Sequence, residues 1–93
     1  MRLKESEIET IKSAVKKYDE NAQVYLFGSR TDDTQKGGDI DILIISDFLT
    51  FNEKSKIRLE LYEKLGEQKI DIIITKEIKS AFLKLAYENA VKL

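Results

Sequence analysis

Two short stretches, DIDILII at residues 39–45 and KIDIIIT at residues 69–75, constrain this chain more than any other feature. Each is β-branched, carries an aspartate near its start, and is apolar on both faces beyond it. Strands covered by protein on two sides read this way. Between them, Thr50-x-x-Glu53 forms a capping-box signature and Ile57, Leu61 and Leu65 follow at i, i+4 and i+8. Gly66 then supplies the C′ position. Strand, helix and strand in this order predict a parallel pair joined by a right-handed crossover.

The rest of the chain extends that unit. Ile8, Ile11, Ala14, Val15 and Tyr18 recur at helical spacing behind Ser6-x-x-Glu9, a second capping-box signature. Val24-Tyr25-Leu26-Phe27 reads as a buried strand stopped by Gly28. The polar stretch RTDDTQKGG at residues 30–38 joins it to the next strand, a length that suits an antiparallel neighbour or a single helical turn. A last helix is expected from about Glu77, with Ile78, Ala81, Phe82, Leu85 and Ala86 as its core stripe. Leu83, Tyr87 and Ala90 form a second apolar row, read either as scattered surface residues or as a partner surface. The expected fold is α/β (α+β), a small mixed sheet of three to four strands flanked by helices, in one domain over residues 1–93.

Composition narrows the chemistry. The chain has no Cys and no His, which excludes disulfides, thiolate nucleophiles and zinc-finger sites. Acid–base or metal chemistry must therefore rest mainly on carboxylates and hydroxyls. With 16 Lys+Arg against 17 Asp+Glu, the net charge of −1 is a poor footprint for holding nucleic acid alone. The mixed-sign charged surface and the absence of an apolar run near the roughly 20 residues of a membrane span point to a soluble protein of the cytoplasm.

The carboxylates are the anomaly. Asp39 and Asp41 alternate with isoleucines, so a strand's two-residue period points both to one face. Parallel pairing would bring Asp71 beside them on that face. Three neighbouring carboxylates repel one another and raise each other's pKa values unless a cation compensates. An all-oxygen set favours Mg²⁺ or Mn²⁺. At the end of the first strand, Gly28 permits a close backbone approach, Ser29 adds a hydroxyl with amides beyond it, and Arg30 offers a charge for a phosphate. Singly, Gly28-Ser29 is an ordinary turn, Asp39 a turn residue, Asp71 a strand-edge charge and Arg30 a solvated one. Asp41, inside an apolar strand, is the hardest to explain so.

Leu26-Phe27-Gly28-Ser29-Arg30, followed after the polar stretch by Asp39-Ile40-Asp41 and later by Asp71, resembles the G-S-x(n)-D-x-D signature of the DNA polymerase β-like nucleotidyltransferases. The short length is similar to that of minimal members, the MntA-like antitoxins paired with HEPN-domain (HepT-like) toxins. Many relatives have an alanine and a second arginine after Gly-Ser-Arg, and a serine before D-x-D; here Thr31, Asp32 and Gly38 stand there. The resemblance implies two Mg²⁺ ions, with Mn²⁺ as a substitute, an NTP substrate such as ATP, and catalytic, metal-holding Asp39, Asp41 and Asp71. It also implies nucleotide binding by Gly28, Ser29 and Arg30, and Asp71 as general base. NMP transfer to a hydroxyl, a tyrosine of a HEPN toxin, is the expected activity, with that helical protein as partner. A second copy of the chain is the other partner considered. The rival expectation is a non-catalytic module that neutralises or scaffolds its partner by contact. Transfer to a small molecule such as an aminoglycoside ranks below both.

Overall fold

The computed structural model describes residues 3–28, 40–66 and 69–93. In chain order the elements are α1 (Glu5–Lys16), β1 (Gln23–Phe27), β2 (Ile40–Ile45), α2 (Phe51–Leu65), β3 (Ile70–Thr75), α3 (Ala81–Glu88) and β4 (Val91–Lys92). The strands form one mixed sheet in the order β3-β2-β1-β4. β2 lies antiparallel to β1 and parallel to β3, so α2 makes the crossover that the two similar stretches predict. The first and second strands are antiparallel neighbours, as the length of the polar connection allows.

Strand periodicity sorts the sheet's two faces. Val24, Leu26, Ile40, Ile42, Ile44, Ile70 and Ile72 pack with Ile11, Ala14 and Val15 of α1 and Ile57 and Leu61 of α2 in one core. The alternate residues, Tyr25, Phe27, Asp41, Leu43, Asp71 and Ile73, point to the other face. Leu43 is buried there, between its register partners Tyr25 and Ile73. The central strand is thus apolar on both sides except at Asp41.

The helix ends show which local signals prevailed. At α2, the Glu53 carboxylate accepts the Thr50 amide at 2.8 Å and the Thr50 hydroxyl at 2.7 Å, and Gly66 follows the last turn at φ +86°, as expected. At α1 the expected Ser6–Glu9 box is replaced. Glu7 accepts the Lys4 amide at 2.9 Å, and Ser6 already lies inside the helix, its carbonyl accepting the Thr10 hydroxyl. A carboxylate reaching back three residues suffices to start the helix two residues earlier.

The last helix departs most from expectation. It starts at Ala81, where the Ser80 hydroxyl accepts the Leu83 amide at 3.0 Å, and it ends before β4, a short strand that the sequence pattern hides within the helical run. Its expected core stripe is only partly covered, with Ile78 and Ala86 half-buried. Phe82 and Leu85, expected in the core, are 61% and 62% exposed. The second apolar row, read as scattered surface residues or as a partner surface, turns partly towards the sheet: Leu83 and Ala90 are half-buried, and the Tyr87 ring, still 42% exposed, meets the Tyr25 ring edge-on at 5.1 Å. Two apolar stripes compete on this helix, and the aromatic contact selects the one that faces Tyr25. No helix among the described residues is long and apolar enough to cross a membrane.

Candidate active site

Asp41 is the second residue of β2 and Asp71 the second of β3, and the parallel register places them directly side by side. Adjacent strands lie about 4.8 Å apart. Both carboxylates rise from the face opposite the helical core, and both are half-buried. Like charges in this position are mutually unfavourable, and their arrangement suits a cation held between oxygens.

The antiparallel register brings the end of β1 to the same point. Phe27 pairs with Asp41, so Gly28 follows at the edge of the carboxylate pair. Gly28 has φ +76°, a left-handed conformation that side-chain-bearing residues rarely adopt. A methyl group there would overlap Asp41 Oδ2. The glycine therefore serves two needs at once: it turns the chain out of β1, and it makes room for the carboxylate of the neighbouring strand. Phe27 shares the face of the two aspartates, a placement that strand parity relative to Gly28 would have revealed.

Asp39, Ser29 and Arg30, together with the departures at Thr31, Asp32 and Gly38, lie outside the described residues. The structure thus brings together Gly28, Asp41 and Asp71. Among the described residues no group of three metal-ligating side chains is assembled.

A second polar site went unread in the sequence. Asp19, after α1, is 7% exposed, and its carboxylate accepts the Ser46 hydroxyl at 2.5 Å and the Asn21 amide at 3.0 Å. Ser46 Oγ in turn accepts the amides of Phe48 and Leu49, each at 3.1 Å. This network ties the end of β2 to the turn after α1. Aspartate before a turn and serine after a strand are too common for their pairing to be visible in sequence.

A parallel β2–β3 pair with aligned aspartates, and an adjacent glycine shaped around one of them, is a specific combination. It falls inside a match to the family model described as Polymerase beta, Nucleotidyltransferase, which spans residues 9–93. The chain belongs to this nucleotidyltransferase family. No curated protein matches it. The family's chemistry is nucleotidyl transfer, generally from a nucleoside triphosphate with a divalent metal. The mixed sheet with three helices agrees with the family's fold.

Proposed function

We propose that this chain is a Mg²⁺-dependent nucleotidyltransferase that moves AMP from ATP to a hydroxyl of a partner protein. The observation that carries this reading is the in-register Asp41–Asp71 pair against Gly28. Asp39, Asp41 and Asp71 would hold divalent cations there, with Mn²⁺ as a substitute for Mg²⁺. When bound, the metal supplies positive charge to the transferring phosphate and lowers the pKa of the attacking hydroxyl.

The chain's own groups complete the reaction. Asp71 takes the proton from the acceptor hydroxyl. The hydroxyl oxygen bonds to the α-phosphorus, the bond from that phosphorus to the bridging oxygen breaks, and pyrophosphate leaves. Ser29 and the neighbouring amides hold the β- and γ-phosphates, and Arg30 offsets charge on the pyrophosphate.

The acceptor in this reading is a tyrosine of a HEPN-domain, HepT-like toxin, and the cellular role is that of its antitoxin. Two features support a protein rather than a nucleic acid as partner. The net charge of −1 gives no general attraction for phosphate backbones. In addition, Phe48 and Phe51 at the start of α2 are 72% and 78% exposed, and Leu59 and Tyr62 continue the apolar surface along the helix.

The test is incubation with α-labelled ATP, Mg²⁺ and a HepT-like HEPN protein. Label appears on the HEPN protein with the native chain and not with Asp41→Asn or Asp71→Asn. Equal labelling by the variants would overturn the mechanism. If Asp41→Asn still protects cells from the toxin, neutralisation proceeds by contact rather than by transfer.

A further inference from the structure

α3 lies on the sheet face that carries Asp41 and Asp71. Its Tyr87 ring meets the ring of Tyr25, and Tyr25 shares that face with Leu43 and Ile73, two residues beyond the aspartates in register. The chain leaves β3 at Thr75, forms α3 and leads into β4, whose pairing of Val91 with Leu26 brings Ala90 level with Phe27. α3 therefore crosses the face obliquely, from the far end of β3 to the edge beside Phe27. That line separates Tyr25 on one side from Asp41 and Asp71 on the other.

Helical geometry then fixes what faces the aspartates. At about 100° per residue, Phe82 and Leu85 lie about 140° and 160° around the helix from Tyr87. With Tyr87 directed at Tyr25, they take the flank on the side of the carboxylate pair, and both are exposed. Asn89 continues the row and donates its side-chain amide to the Leu85 carbonyl at 3.1 Å. The row of Phe82, Leu85 and Asn89 carries no charge. α3 has no buried residue, and the groups that hold it to the sheet, Tyr87 with half-buried Leu83, Ala86 and Ala90, occupy the rest of its surface.

We propose that Phe82 and Leu85 form the acceptor wall of the active-site crevice, on which the acceptor protein seats an apolar segment next to its reacting hydroxyl. On the proposed transfer reading, two reactants must meet at Asp41 and Asp71. The triphosphate is drawn to cations and to N–H groups near Gly28, neither of which this row provides. An uncharged aliphatic and aromatic wall on the same face suits the other reactant, whose apolar side chains it covers. The exposed Phe48, Phe51, Leu59 and Tyr62 offer no such route, because α2 packs on the opposite face of the sheet. A contact there holds a partner on the side away from the carboxylates.

Titration calorimetry with the HepT-like HEPN protein and, separately, with ATP and Mg²⁺ tests the assignment. Phe82→Gln and Leu85→Gln are each expected to weaken binding of the HEPN protein at least about tenfold and to leave ATP affinity unchanged. Phe51→Gln on α2 is expected to bind the HEPN protein as the native chain does. Circular dichroism confirms that each variant is folded; both α3 positions are exposed and glutamine is a good helix former. Native-level binding by both α3 variants would overturn the proposal, as would a loss confined to Phe51→Gln or a native chain that does not bind the HEPN protein. ATP affinity that falls with Phe82→Gln would overturn it too, by assigning the row to the nucleobase. Labelling of the HEPN protein at the native rate by both α3 variants keeps the transfer reading and removes the docking surface. Binding lost at Phe82 and Leu85, with no labelling by the native chain, keeps the docking surface and removes the transfer.

Discussion

The two ends of β2 place an aspartate in opposite circumstances. At the C-terminal end, Asp19 is nearly buried and engaged by the Ser46 hydroxyl and the Asn21 amide, while Ser46 also receives two amides of the following turn. Every polar group in that network serves the chain's own path, and it needs nothing from outside. At the N-terminal end, Asp41 stands beside Asp71, a second carboxylate, on the face away from the helical core. That end sets like charges together and clears space beside them by placing Gly28 where a side chain would collide. The first arrangement stabilises the fold. On the proposed reading, the second sets like charges together at a place where a bound cation would offset their repulsion, as expected of a site built for ligand rather than for stability.

The sharpest way to break this contrast is to remove charge at each end and compare activity with stability. Asp41→Asn or Asp71→Asn is expected to reduce nucleotidyl transfer by at least about a hundredfold, since even groups that only orient metal ligands are worth 10–100-fold. In metal-free buffer Asp71→Asn should unfold at equal or higher denaturant concentration. Relieving a like-charge neighbour on adjacent strands is worth up to about 1 kcal/mol. Loss of stability together with activity would erase the distinction.

Asp19→Ala should do the reverse. It strands the Ser46 hydroxyl and the Asn21 amide, at a cost of about 1–3 kcal/mol in urea unfolding, and leaves nucleotide affinity unchanged in the folded protein. Gly28→Ala falls between the two ends. The left-handed backbone costs about 1–2 kcal/mol, and the methyl displaces Asp41, so stability and activity should fall together.

The smallest effect belongs to a contact distant from both ends. Lys17 Nζ and Glu60 Oε1, 2.6 Å apart, tie the end of α1 to α2. The hydrogen bond from Lys17 holds the Glu60 carboxyl below its ordinary value of 4.5, and Glu60 holds Lys17 above its ordinary 10.5. The Glu60 contribution is present above its unfolded pKa and fades as pH falls through the depressed folded value. The Lys17 contribution is present below its unfolded pKa and fades as pH rises through the raised one. Thermal unfolding followed across pH should show Glu60→Gln flattening the acid-side decline slightly. The pH response of transfer by the folded enzyme should not change.

Much of the fold was legible because its signals are local or repeated. The similar β2 and β3 sequences announce a parallel pair, and Thr50, Glu53 and Gly66 mark both ends of α2 with groups that act within a few residues. The carboxylate pair was legible too, because an aspartate inside an apolar strand lacks an ordinary explanation. What escaped depends on distant neighbours. Both stripes of α3 are apolar, and only the presence of Tyr25 on the sheet decides which turns inward. β4 is two residues that pair with Tyr25 and Leu26, a contact no local pattern encodes. Ser46 and Asp19 are 27 residues apart in sequence and meet only once the sheet has formed.

The proposed mechanism requires Asp41 and Asp71 to act as one metal-dependent unit. Titration calorimetry of ATP into the native chain, Asp41→Asn, Asp71→Asn and the double variant, with and without Mg²⁺, measures this. Groups that hold the same ions are strongly non-additive, so each single variant should lose as much Mg²⁺-dependent ATP affinity as the double variant does. ATP binding that is independent of Mg²⁺, or losses that simply add, would contradict a shared site.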